Sequence, residues 1–174
     1  MTTAALRLAM PRPELRESFM RAAAEFPPDE ETLAYERDLA TRDFDGYVRA
    51  VQSWAAGRDL PRGWIAAHTF WLAEGDEYIG TVNVRHKLND WLLRYGGHIG
   101  YGIRPSRRRM GYGTEICRLG LDEARKLGLT RVLITCDADN IGSKKIIEAN
   151  GGVFENEVPQ PDRPVGKRRY WFDL

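Results

Sequence analysis

The chain has 174 residues, with 26 Lys and Arg against 25 Asp and Glu for a formal net charge of +1, and 43% hydrophobic residues. That length suits a single domain, 1–174, around one core, and so even a charge balance supplies no global field for DNA, RNA or an acidic membrane, so electrostatic function must be local. Cys117 and Cys136, with no C-x-x-C pair and no histidine at metal spacing, argue against a disulfide framework or a metal site and suit buried thiols in a reducing compartment.

The stretch MTTAALRLAMPRPEL lacks a basic region followed by a long apolar one, and no segment reaches the roughly 20 apolar residues of a membrane span. A soluble, cytoplasmic protein is expected. Ala5–Met10 is a short edge-like strand. Leu15, Phe19, Ala22, Ala23 and Phe26 then recur on one helical face until Pro27 stops the helix. The acidic PPDEETLAYERDLATR is loosely patterned and is expected to be a variable connection. Phe44, Tyr47, Val48, Val51 and Ala55 define a second helix, with Asp43 as N-cap and Gly57 as its stop.

WIAAHTFWLA and EYIGTVNVR, separated by EGD, suit a hairpin, and GGHIGYGI adds a strand after a loop holding Trp91 and Tyr95. From Gly111 helical spacing returns, with Ile116, Leu119, Ala124 and Leu127 on one face and Gly128 as the cap. RVLITCD is an apolar strand of the kind covered on both faces. NIGSKKIIEANGG is a short helix N-capped by Asn140, and VFENEV, a proline-rich loop PQPDRPVG and KRRYWFDL close the chain as a hairpin. The order β, α, α, three antiparallel β, α, β, α and a final hairpin gives an α/β (α+β) fold, a mixed sheet with helices on both faces.

Chemistry concentrates in RRRMGYGTE, Arg107 to Glu115. A strand ends before it and a helix begins inside it, so the unpaired N–H groups of a first helical turn, with the positive end of its dipole, face the turn. Gly111 and Gly113 lack Cβ atoms and let an anion reach the main chain, while Arg108 and its neighbours add charge at the edge. By itself the segment fits a solvated basic turn as well as a pyrophosphate loop.

Its context resembles the GNAT superfamily, the acyl-CoA-dependent N-acyltransferases, whose loop pattern of Arg or Gln, two residues, Gly, one residue, Gly or Ala is filled by Arg108, Gly111 and Gly113. HIGYGIRPSRRRMGYG resembles that family's fourth strand and loop, RVLITCDADN its fifth strand, and NIGSKKIIEANGGVF the helix and turn that follow, so the likeness runs from Gly97 to Leu174. It implies a mostly antiparallel sheet of about seven strands with the fourth and fifth splayed apart. Acetyl-CoA is the implied cosubstrate, without a metal, and a small-molecule or peptide amine the implied acceptor, with no nucleic acid or membrane partner and a homodimer left open.

By motif position, the resemblance implies a backbone contact at Ile103 that polarises the thioester, and pyrophosphate binding by the amides of Arg108, Arg109, Met110, Gly111, Tyr112, Gly113 and Thr114. Asn140 and Ser143 match residues that border the pantetheine and adenosine. Asn140 is equally explained as a helix cap. One departure stands out: the family's frequent acid, a Tyr seven residues after that Asn, is Ile147 here.

The reaction implied is direct attack of a deprotonated amine on the thioester, because an ammonium has no lone pair. His98 is a candidate base because it lies on the strand that would border the thioester. Strand alternation sets it opposite Ile99, Tyr101 and Ile103, which also suits a packed or surface histidine. His68, His86, Asn83, Glu74 and Tyr170 are weaker candidates, and Tyr170 with Trp171 suits core or rim. Trp54, Trp64, Trp71 and Trp91 suit an acceptor pocket or the core equally well. An acyl-CoA sensor with the same fold is the alternative to an enzyme. Binding of nucleic acid through RRR and KRR lacks a stacking motif or recognition helix.

Overall fold

A computed structural model describes residues 6–30 and 33–174. The strands are β1 (Leu6–Ala9), β2 (Ala67–Glu74), β3 (Glu77–Arg85), β4 (Ile99–Ile103), β5 (Arg131–Asp137), β6 (Val153–Gln160) and β7 (Arg163–Asp173). The helices are α1 (Arg16–Ala23), α2 (Ala34–Arg42), α3 (Phe44–Ala55), α4 (Tyr112–Lys126) and α5 (Ile141–Ala149). One sheet runs in the order β1-β2-β3-β4-β5-β7-β6. Its neighbours are antiparallel except β4 and β5, which are parallel and share a single register pair, Ile99 with Ile134.

Period-two alternation gives the sheet two buried faces. Leu72, Ile79, Val82, Val84, Ile99 and Ile103 pack with Ile116, Cys117, Leu121 and Ala124 of α4 and Ile147 of α5. On the other face Trp71, Ala73 and Tyr78 meet Leu15, Phe19, Ala40, Phe44, Tyr47 and Val51 of the α1–α3 layer, where Phe19 stacks on Trp71 at 4.6 Å. Both cysteines are buried, and loss of solvent pushes the Cys117 thiol up to about 12 and Cys136 up to about 11.

Four expectations need correction. The acidic connection contains α2, although its residues 31 and 32 lie outside those described. The first helix opens as a 3-10 turn at Pro13–Leu15 and stops at Ala23, leaving Phe26 beyond it. On α4 the buried stripe is Ile116, Cys117, Gly120, Leu121 and Ala124, with Leu127 exposed. The proline-rich loop is mostly strand, because β6 is an edge strand and Pro159 and Pro164 sit by its turn, where a missing N–H costs little. Of the first predicted strand, Ala5 lies outside the described residues. Asp43 does cap α3, accepting the Gly46 N–H at 2.9 Å, and Gly57 leaves it at φ 73°.

Candidate active site

The opening between β4 and β5 starts from a clamp. The His98 backbone N–H donates to Leu133 O at 2.7 Å, and the Leu133 N–H donates to His98 Nδ1 at 2.9 Å. Gly97 permits the approach, since a Cβ there would lie 2.6 Å from Leu133 O. Beyond Ile99 the strands part. Because the Arg104 N–H donates to Ile79 O on β3, ladder alternation turns the amide of Ile103 away from β3 and into the opening.

This clamp decides what His98 can do. With Nδ1 accepting a backbone N–H, the ring proton sits on Nε2 and no lone pair is free. Burial and the Arg85 guanidinium pull its pKa down to about 4. The imidazole holds two strands together at the root of the cleft, and the proton acceptor has to be sought elsewhere.

Below the opening, the chain turns through Pro105–Arg107 into α4. The Arg108 N–H is spent on Pro105 O at 3.2 Å, and the first helical bond of α4 is that of the Glu115 N–H to Gly111 O. The amides from Arg109 to Thr114 lie between them with no acceptor among the described residues. Arg109 and Gly111 take left-handed conformations, φ 61° and 88°, which curl these N–H groups together. The Arg108 side chain braces the turn: Nε donates to Ile103 O at 2.9 Å, Nη2 grips both oxygens of Glu30, and the guanidinium lies over Phe26. Met110 is exposed, and the Tyr112 hydroxyl donates to Glu74 at 3.1 Å.

Across the opening, Asn140 caps α5, its Oδ1 accepting the Ser143 N–H at 2.9 Å. The Ser143 hydroxyl is 2.9 Å from that of Tyr101 on β4. Ile147 is fully buried among core side chains. The resulting cleft has a volume of about 630 Å³ and is lined by Tyr101, Gly102, Ile103, Arg109, Gly111, Gly113, Thr114, Asn140, Ser143 and Lys145, among others. Its size and its run of N–H donors suit an acyl-CoA, and a Cβ on Gly113 would come within 2.5 Å of Ile146 Cδ1, so a side chain there would have to displace that methyl group.

A second hollow of about 430 Å³ opens on the α1–α3 face, lined by Tyr35, Glu36, Trp54, Trp64, Asn83, Arg85 and Trp91, among others. Glu36 is 5% exposed. Its Oε2 accepts hydroxyls from Tyr47 and Thr69, both at 3.0 Å, and its Oε1 receives the Asn83 amide at 3.3 Å. Desolvation raises its pKa, against the pull of those hydroxyls. Sequence reasoning missed Glu36 because it lies in the stretch read as a connection.

The remaining candidates scatter. Asn83 belongs to the Glu36 network. His68 and His86 contact each other at 2.7 Å. Tyr170 is core, and Trp171 lies under Arg131 at the surface. Trp71 is fully buried, while Trp54, Trp64 and Trp91 line the hollow. Among the described residues there is no group of His, Cys, Asp or Glu that could hold a metal, and no helix long and apolar enough to cross a membrane.

A mixed sheet opened between two parallel strands, with an amide-rich turn at its mouth, is the architecture of acyl-CoA-dependent acyltransferases. The profile of the acetyltransferase (GNAT) domain matches residues 6–153, and the chain belongs to that family of acyltransferases, which use acetyl-CoA. None of the curated proteins matches significantly. Among solved structures, an acetyl transferase from Salmonella typhimurium that modifies the N-terminal serine of ribosomal protein L7/L12 superposes with TM-score 0.66 at 16% identity, over 100% of this chain and 96% of its own. RimJ of Mycobacterium smegmatis, in complex with a CoA disulfide, gives 0.69 at 14% over 97% and 81%. The microcin C7 self-immunity acetyltransferase MccE, in complex with acetyl-CoA and AMP, gives 0.68 at 13% over 97% and 92%. At such identities these likenesses establish the fold.

Proposed function

We propose that this protein is an N-acetyltransferase that moves the acetyl group of acetyl-CoA to a primary amine by direct attack in a ternary complex. The observation that carries the reading is the run of unpaired amides from Arg109 to Thr114 at the mouth of the splayed strands. Those donors suit the pyrophosphate, with Arg109 and Lys145 on the same cleft adding positive charge. Asn140 and Ser143 border the pantetheine side. The Ile103 N–H, aimed into the opening, donates to the thioester oxygen as negative charge grows there.

The amine attacks as the free base, the C–N bond forms, the C–S bond breaks and the thiolate leaves. Binding both reactants side by side supplies much of the rate. Ile147 is core and delivers no proton, which is what favours a non-catalytic acyl-CoA sensor as the second reading. The paired Tyr101 and Ser143 hydroxyls answer it, since they put a protic donor on the cleft wall. The buried thiols suit a reducing cytoplasm.

Calorimetric titration with acetyl-CoA tests the reading. Wild type is expected to bind saturably and Gly113→Trp at least about tenfold more weakly, because its Cβ alone presses on Ile146. Absence of binding by wild type would overturn the proposal. Acetyl-CoA binding with no amine-dependent thiol release across a panel of amines would favour the sensor.

A further inference from the structure

A small third space borders both the aromatic hollow and the CoA cleft. A small space of about 20 Å³ between the sheet and α2 is lined by Leu33 and Glu36, which also line the aromatic hollow, and by Gly102, which also lines the cleft. It is large enough for about one water. Glu36 therefore borders both the hollow and the small space, which reaches Gly102 of β4.

The hollow's outer wall is a cluster of rings. Tyr35 and Trp64 centroids are 4.9 Å apart, Trp54 and Trp64 5.2 Å, and Trp91 lines the same space. Tyr35, Trp54 and Trp64 touch one another, so they form a wall for a flat ligand to lie against, with Trp91 on the rim of the same space. Tyr35, Trp64 and Trp91 are 49%, 38% and 61% exposed, a large apolar surface to leave in water without a ligand. At the inner end sits the carboxylate, with one oxygen receiving two hydroxyls and the other only the longer Asn83 contact.

We infer that Glu36 and the aromatic wall form the acceptor site for a small arylalkylamine, with Glu36 holding the ammonium and removing its proton, directly or through one water, before attack. This rests on the acyltransferase reading. The balance is simple: the ammonium gives one proton to Glu36, the amine nitrogen bonds the acetyl carbon, and the C–S electrons leave with sulfur. The second nitrogen proton goes to the thiolate or to solvent, and Glu36 returns its own to water. An aromatic body gains contact with the rings, and a cation near them gains attraction to their faces.

The titratable and charged groups around Glu36 are Tyr47 of α3, Tyr78 and Arg85 of β3 and Arg37 beside it on α2. Both tyrosines are pushed above their usual range by burial, and burial pulls the Arg85 guanidinium below its own. Burial raises the pKa of Glu36 itself, against the pull of the Thr69 and Tyr47 hydroxyls.

The test uses 2-phenylethylamine as probe, with a serine-initiated tripeptide as the competing class. Tryptophan fluorescence follows binding, since Trp54, Trp64 and Trp91 line the hollow. Saturable quenching by phenylethylamine is expected, weakened about tenfold or more in Glu36→Gln and in the exposed-site variant Trp64→Ala, with acetyl-CoA affinity unchanged in both. In thiol-release assays Glu36→Gln should lower kcat/KM for the amine about 100-fold or more and remove the acid limb of its pH profile, while Trp64→Ala should raise KM and spare kcat. A wild type that fails to bind phenylethylamine, a preference for the tripeptide, or a Glu36→Gln enzyme that keeps its rate and acid limb would each overturn the inference. Failure of acetyl-CoA binding would instead remove the underlying activity, and the fluorescence titration would still decide on the amine.

Discussion

Replacing His98 separates a base from a clamp. His98→Ala removes the acceptor of the Leu133 N–H at a place where His98 is 7% exposed, and an orphaned buried donor costs about 1–3 kcal/mol. A second effect depends on pH. The folded imidazole titrates at about 4 against 6.5 for the ordinary group, so between those values the unfolded chain binds more protons and wild-type stability falls as pH falls. At pH 5 that loss is about 2 kcal/mol relative to pH 8, worked from the 1.5 units between pH 5 and the ordinary pKa. The alanine variant lacks this loss. Urea denaturation should therefore show the variant weaker by about 1–3 kcal/mol at pH 8 and the gap smaller by about 2 kcal/mol at pH 5. Because the clamp sits at the root of the cleft, the affinity for acetyl-CoA should fall while the pH profile of the amine reaction keeps its shape. An equal gap at both pH values would refute the clamp, and loss of the acid limb in His98→Ala would restore the histidine as the base.

The loop arginines should differ sharply. Arg107→Ala breaks only a half-buried pair with Glu77 and should leave acetyl-CoA affinity within about twofold, whereas Arg108→Ala frees Ile103 O and Glu30 together and should weaken it about tenfold by calorimetry. Tyr101→Phe deletes the hydroxyl paired with Ser143, and single-turnover kinetics should show kcat down about tenfold or more with acetyl-CoA binding retained; an unchanged rate would remove that hydroxyl as proton donor.

The sequence was readable where local chemistry and tertiary context agree. The strand, turn and helix around Arg108, Gly111 and Gly113 carry their own signals, because left-handed backbone at Gly111 favours glycine and a side chain at Gly113 would press on Ile146. The Asn140 cap is likewise a local bond, made three residues along. His98 was legible only as a strand residue: its partner, Leu133, is 35 positions away, and no local pattern tells a sheet clamp from a base.

Glu36 was hidden for a different reason. Helix α2 buries just Glu36 and Ala40, and it starts from Leu33 at φ 55° with no side-chain cap, so both signals that announce a helix, an apolar stripe and a capping residue, are missing. What disguised the helix is the carboxylate turned inward where a hydrophobic side chain would have completed the pattern. A break in local consistency of this sort is expected where function competes with folding.

The same bonds show how the arginine-rich turn is used. Arg104 pairs with Glu25, Arg107 with Glu77 and Arg108 with Glu30, so three cations of a conspicuously basic segment are matched by carboxylates from the connection after α1 and from the start of β3. That leaves little of a basic patch for nucleic acid, and it is consistent with the proposed use of the amides of residues 109 to 114 for the pyrophosphate. Glu30 is held from both sides, its carboxylate by Arg108 and its carbonyl by Arg37 of α2 at 2.7 Å. The turn between β4 and α4 and the helix that carries Glu36 are thus fastened to one residue.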